Sequence, residues 1–146
     1  MKALLQRVRK AHVTVAGVEI SRIESGLLIF LGVMQGDTSR EVAELVDKAV
    51  QLRIFSDPQG KMNLALHEMG GEALVVSQFT LCADTSKGRR PSFTDAAAPD
   101  VAKALYEEFV VSLRGKCKKV VTGEFAADMQ VHLINDGPVT FLLETD

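Results

Sequence analysis

Hydrophobic and polar positions change their period several times along the chain, and each change marks an element. Residues 2–9 and 11–15 alternate or run apolar (Leu4, Leu5 and Val8, then Val13 and Val15), a pattern that predicts extended chain. Ala16-Gly17 separates Val13-Thr-Val15 from Val18-Glu-Ile20, and a glycine able to take positive φ in so short a connection predicts a β-hairpin. Leu27 to Met34 is apolar on both faces, as expected of a central strand, and closes at Gln35-Gly36-Asp37. The period then lengthens. Val42, Leu45, Val46, Ala49 and Val50 fall on one helical face, behind a capping-box pattern in Thr38-Ser39-Arg40-Glu41.

Arg53 to Gly60 leaves this helix through turn residues, and residues 61–66 with Gly70-Gly71 lead to another apolar run, Glu72 to Leu81. A second helix is predicted from Pro99, whose missing amide proton would be unpaired in a first turn anyway. Ala102, Leu105, Tyr106, Phe109 and Leu113 form its buried face, and Gly115 ends it. Val120-Val121, Asp128 to Ile134 and Val139 to Leu143 read as closing strands. The pattern predicts an α+β fold, a mostly antiparallel β-sheet or barrel with two main amphipathic helices, organised as a single domain over residues 1–146.

Composition narrows the class without naming a function. A hydrophobic content of 47% and a charged content of 25% are those of a soluble globular chain. No apolar run reaches the length of a membrane span, and residues 1–10 lack the long apolar segment and cleavage site of a signal peptide. Two widely separated cysteines, Cys82 and Cys117, argue against a disulfide framework and fit a reducing, cytoplasmic setting. A net charge of −2 argues against a general nucleic-acid coat protein, though not against contact with one end of an RNA. Basic residues do gather locally: Arg7, Arg9 and Lys10; Lys87, Arg89 and Arg90; Arg114, Lys116, Lys118 and Lys119. Taken singly, each such group reads first as a solvated face, but long basic loops such as Asp84 to Phe93 are more often functional than connective.

Two stretches carry candidate chemistry. Ser77-Gln78-Phe79-Thr80 puts three hydrogen-bonding side chains around one aromatic at the end of a buried strand, either to satisfy nearby backbone or to hold a polar ligand against a ring. Asp136-Gly137 is, at face value, a hairpin turn between two strands, but Pro138 removes a donor where a ladder would begin. A cis Gly137-Pro138 bond would instead present two backbone carbonyls in one direction, as acceptors for an ammonium group. Other chemistries lack their signatures. His12, His67 and His132 are scattered, neither they nor the cysteines show metal-ligand spacing, and there is no Gly-x-Ser-x-Gly elbow or phosphate-cradling glycine loop. No metal and no cofactor is expected.

In Gln6-Arg7-Val8, Leu52-Arg-Ile-Phe55, Gly60-Lys-Met-Asn63, Gly70-Gly71, Val75-Val-Ser-Gln-Phe-Thr-Leu81, Ala83-Asp-Thr85, Lys87-Gly-Arg-Arg-Pro-Ser-Phe93 and Asn135-Asp-Gly-Pro-Val-Thr140, the chain resembles the D-aminoacyl-tRNA deacylase (D-tyrosyl-tRNA deacylase) family along nearly its whole length. The resemblance implies a homodimeric, cytoplasmic hydrolase that cleaves the ester joining a D-amino acid, or glycine, to the terminal adenosine of tRNA. Ser77, Gln78, Phe79 and Thr80 match the family's active-site strand. Gly137 and Pro138 match a cis Gly-Pro loop that enters the partner subunit's pocket and excludes an L side chain. Arg7 would brace that loop, and Phe125 and Met129 match a pocket wall that receives the adenine. Ala126 stands where family members usually have Gly. Thr80 lacks a histidine or lysine to activate it, and the resemblance implies assistance from the RNA 2′-hydroxyl instead. A non-catalytic module of the same fold that binds a tRNA end is the alternative.

Overall fold

The computed structural model describes residues 1–146, and one long strand, β1 (Lys2–Val15), organises it. Along one edge, β1 pairs antiparallel with two strands in succession. Its first half meets β3 (Gly26–Gly32), with Leu5 opposite Ile29, and its second half meets β2 (Val18–Ile23), with Val13 opposite Ser21. Along its other edge β1 pairs over its whole length with β8 (Met129–Glu144). The register of that second pairing slips twice, between Gln6 and Val8 and between Val8 and Lys10, and such irregularities bend a strand. The predicted hairpin forms at Ala16 and Gly17, both at positive φ (49° and 77°), as a two-residue turn between right-twisted strands requires.

From β3 the sheet continues through β6 (Glu72–Ser77) to β7 (Lys119–Thr122), and these neighbours are parallel. Parallel neighbours need long crossovers. The helix α1 (Ser39–Gln51) lies in the first and α2 (Pro99–Arg114) in the second. A short pair, β4 (Phe55–Ser56) and β5 (Met62–Leu64), stands apart from the main sheet. The capping box of α1 is built as its pattern predicts. The Thr38 Oγ1 accepts from the Arg40 amide at 3.2 Å, and the Glu41 carboxylate accepts from the Thr38 amide at 2.8 Å. The Thr38 hydroxyl also donates to that carboxylate at 2.8 Å, and this bond, then the amide's, holds the Glu41 carboxyl below its ordinary pKa.

Alternate residues of the central strands feed two cores, which is why β3 and β6 are apolar on both faces. Leu27, Ile29 and Leu31, with Ala73 and Val75, pack under the helices against Leu45, Val46, Phe109 and Leu113. Leu28, Leu74 and Val76 face the other way, where Val8, Ala11 and Val13 of β1 and Ile23 of β2 fold over them. The bend in β1 makes this second enclosure, and the sheet becomes nearly a closed barrel. Gly26 marks its tightest point, since a Cβ there would lie 1.8 Å from the Glu72 carbonyl oxygen.

Two sequence expectations change in the structure. Residues 128–134 and 139–143 do not form a hairpin: β8 runs unbroken from Met129 to Glu144, because both halves find their partner on the same strand, β1. Asp136-Gly137-Pro138 is an irregularity within that strand rather than a turn between two. The run from Glu72 ends at Ser77, and Phe79–Cys82 forms a 3-10 turn. No helix is long and apolar enough to cross a membrane.

Candidate functional site

Strand β6 delivers its last residue to the rim of a cavity of about 540 Å³. Ser77, Gln78 and Phe79 line it together with Phe125, Ala126 and Met129. The chain leaves the sheet through the Gln78 amide, which donates to the Leu31 carbonyl at 2.8 Å, and then tightens into the 3-10 turn. Amides at the start of such a turn have no partner within it, so beyond Gln78 the backbone changes from paired strand to free donors at Phe79 and Thr80. The Gln78 Nε2 donates to the Thr80 Oγ1 at 2.5 Å, which occupies one acceptor position on that hydroxyl. Phe79 is 55% exposed despite its ring, and packs tilted against Phe93 with centroids 5.0 Å apart.

The Phe125 segment is held from the core. The Tyr106 hydroxyl of α2, inside the core, donates to the Val75 carbonyl at 2.9 Å, and its ring lies against Phe125 at 5.8 Å. Burial pushes the Tyr106 phenol up to about 12. The Ala127 amide closes a turn onto the Glu124 carbonyl at 3.2 Å, and Ala126 takes φ 63°, a conformation that favours glycine. Ala96, Ala97 and Ala102 also line it; the sequence pattern placed Ala102 on the buried face of a helix but marked none of the three as part of a site. None of the three histidines reaches this cavity. His12 and His132 stack on each other across β1 and β8 at 4.1 Å, and the His67 ring lies 3.2 Å from the Val50 carbonyl. Cys82 is buried with its thiol directed at the Val33 carbonyl, and burial raises its pKa.

The second sequence motif lies elsewhere on the chain. The Gly137–Pro138 peptide is cis, and both residues are exposed and outside the cavity that Ser77 to Phe79 line. The chain on either side of them is fixed. The Arg7 guanidinium donates to the Asp136 carbonyl at 2.7 Å through Nε and to the Ile54 carbonyl at 2.7 Å through Nη1. The Asn135 side chain accepts from the Val139 amide at 2.8 Å and donates to the Thr140 hydroxyl at 3.1 Å, which the Gln6 amide also reaches. Arg7 therefore grips the loop, and Asn135 and Thr140 share the work although sequence reasoning assigned them none. Their signal was an Asx residue just before an irregular Gly-Pro, a side chain suited to replacing ladder bonds. Arg7 and Asp136 also line a second, smaller hollow with Ser25 and Ser56.

Known structures place this architecture in a class of α+β deacylase-fold proteins. A solved structure described as "c-Myc DNA Unwinding Element Binding Protein" matches with a TM-score of 0.96 and 41% identity, over 100% of this chain and 99% of that one. Another, described as a probable eukaryotic D-amino acid tRNA deacylase, shares the fold at 21% identity and a TM-score of 0.81, covering 97% of each chain. The family model described as D-Tyr-tRNA(Tyr) deacylase matches residues 4–144, and the chain belongs to that family. Relatives called D-aminoacyl-tRNA deacylase include one from Thermosipho africanus, 53% identical over 99% of this chain and 97% of its own. One from Chloroflexus aurantiacus is 57% identical over 99% of this chain and 91% of its own.

Proposed function

We propose that this chain, acting as one domain, hydrolyses the ester of D-aminoacyl-tRNA in the cytoplasm and releases the free D-amino acid and tRNA. Glycyl-tRNA, which has no side chain to exclude, is a second substrate. The observation that carries the reading is the cavity beside Ser77-Gln78-Phe79 in a chain of this family: free backbone donors stand at its rim, and none of the chain's three histidines lines it. The terminal adenosine enters between Phe79 and the wall of Phe125 and Met129. The amides of Phe79 and Thr80 polarise the ester carbonyl, and stabilising the developing oxyanion supplies much of the rate. Water adds to the carbonyl carbon, the bond to the ribose oxygen breaks, and that oxygen leaves with a proton. The RNA 2′-hydroxyl assists this transfer. Thr80 orients rather than attacks, since its oxygen is engaged by Gln78 and has no base beside it.

Gly137 and Pro138 act on a second copy of the chain. They are exposed, outside their own cavity, on a segment held by Arg7 and Asn135, and β8 carries exposed apolar side chains such as Leu142 for a partner to cover. In the homodimer their carbonyls accept the substrate ammonium and leave no room for an L side chain. The test follows free amino acid from D-Tyr-tRNA, L-Tyr-tRNA and D-Tyr-tRNA ending in 2′-deoxyadenosine. Hydrolysis of the first alone is expected, and Thr80→Val should retain substantial turnover. Release from neither ribose ester would leave only a tRNA-end binding module. A fast 2′-deoxy substrate together with an inert Thr80→Val variant would overturn the assisted mechanism.

A further inference from the structure

The three basic groups noted in the sequence have different fates in the fold. Arg7 and Arg9 both face Asp136, at 3.8 and 3.5 Å, and Lys10 alone of that group is unpaired. In the third group Lys116 pairs with Asp47 and Lys119 with Glu72 at 3.4 Å, which leaves Arg114 and Lys118 exposed and unpaired among neutralised neighbours. Lys87, Arg89 and Arg90 are the one group in which every member is free. All three are exposed, none takes part in an ion pair or a side-chain hydrogen bond, and the loop sets them against a single carboxylate, Asp84. That carboxylate is already engaged: its Oδ1 accepts from the Ser86 amide at 2.9 Å, and bonding to Ser86 lowers its pKa.

The base of this loop is tied to the rim of the cavity. Asp84 and Ser92 exchange two backbone hydrogen bonds, at 2.8 and 2.9 Å, and close residues 85–91 into an arm. Phe93, the next residue, packs on Phe79, while the Gln35 side chain and amide hold the carbonyls of Thr94 and Asp95 at 2.7 and 2.8 Å. An arm with a fixed base and a free cationic tip therefore stands beside the ring that faces the cavity. Exposed side chains of this kind, with no protein partner, keep their charge for a ligand, and in a chain of net charge −2 their concentration at one place is selective.

We propose that Lys87, Arg89 and Arg90 form a clamp for the phosphodiester backbone of the RNA strand whose terminal nucleoside occupies the cavity. This deepens the deacylase reading and rests on it for the identity of the strand. Three phosphate contacts have a quantitative signature. Each contributes about 0.7 to 0.9 to the slope of log affinity against log salt, so the clamp accounts for a slope of about 2 to 3.

The test compares the full-length wild type with K87Q/R89Q/R90Q on two substrates, D-Tyr-tRNA and D-tyrosyl-adenosine ester, between 50 and 200 mM NaCl. On the tRNA, kcat/KM of the variant is expected to fall about tenfold or more at 50 mM through KM, with a salt slope smaller by about 2 to 3. The advantage of the tRNA over the small ester should shrink by the same factor. K87R/R89K/R90K, which keeps the charges, should restore both. An unchanged salt slope overturns the proposal, as does an equal loss on the small ester, which would place these residues at the cavity itself. If the triple variant does not fold, R89Q and R90Q alone should each lower the slope by about 0.7 to 0.9. A wild type that hydrolyses neither ester overturns the deacylase reading instead. The clamp is then judged by the salt dependence of tRNA retention on filters for the same proteins, where the same slope difference is expected and equal slopes reject it.

Discussion

The Tyr106 hydroxyl and the Gly123 amide converge on one atom, the Val75 carbonyl oxygen, at 2.9 and 3.1 Å. Through it, α2 and the segment after β7 are both fastened two residues before the strand reaches Ser77. Tyr106→Phe removes one of the two donors and leaves the carbonyl satisfied, so the cost should be modest, about 1 kcal/mol. The clearer readout is alkaline stability. The phenol titrates near 12 in the folded protein against about 10 when unfolded, so between those values the unfolded chain has already released the proton that the folded chain retains. Stability present below pH 10 is therefore lost as the pH rises through 12, by roughly 2 to 3 kcal/mol from this group. Denaturant midpoints from pH 9 to 12 should fall less steeply for Tyr106→Phe than for the parent. Parallel curves would mean that burial does not hold this phenol neutral.

Arg7 joins the Asp136 carbonyl to the Ile54 carbonyl, and the geometry requires its planar fork. A lysine there keeps the charge but presents a compact ammonium on a flexible stem and cannot span both acceptors in the same way. Arg7→Lys should lower stability by about 1 to 3 kcal/mol. If the Gly137-Pro138 segment reads chirality, the loosened loop should also admit more L-Tyr-tRNA relative to D-Tyr-tRNA. Ratios of kcat/KM for the two esters provide the check, and an undiminished ratio in a destabilised variant would separate loop rigidity from selectivity.

What was legible in the sequence depended on how local its cause was. The capping box of Thr38 and Glu41 is complete within four residues, and the hairpin at Ala16-Gly17 needs only the turn itself, so both were readable. The unbroken course of β8 was not. Asp136-Gly137 has the chemistry of a hairpin turn, and only the pairing of Leu142 with Leu4 and of His132 with His12 on the same neighbour overrides it. At the site, Ser77, Gln78 and Phe79 announce themselves by being polar or aromatic where a buried strand ends. Ala96, Ala97 and Ala102 shape the same cavity by being small, and an alanine carries no chemical signal until its surroundings are known.

Gly26 tests the close approach of β3 and β6. A Cβ built there would lie 1.8 Å from a backbone oxygen, that of Glu72, and 2.7 Å from two further backbone atoms of the same residue. No side-chain rotation relieves a clash with backbone, so the two parallel strands would have to separate where both cores begin. Gly26→Ala should cost more than about 4 kcal/mol, the range of severe core disruption, and give mostly insoluble protein. A soluble variant with a parental melting temperature would show that the strands part there easily.

Ala126 offers the opposite case, a substitution expected to stabilise. Its φ of 63° places an L residue where the Cβ crowds the backbone, and the residue lies on the cavity wall between Phe125 and Ala127. Glycine meets no such penalty but gives the unfolded chain more freedom, which offsets part of the gain. Ala126→Gly should therefore raise stability by up to about 1 kcal/mol, or about 2 to 4 °C in melting temperature for a chain of this size. It also removes a methyl group from the wall and frees the turn that carries Phe125. If that wall receives the terminal nucleoside, KM for D-Tyr-tRNA should change while kcat stays close to the parent, because the altered atoms belong to the Phe125 segment and not to the Ser77 to Phe79 rim that carries the free amides. A large fall in kcat with KM unchanged would instead place residue 126 beside the reacting ester and move the adenosine to another part of the cavity.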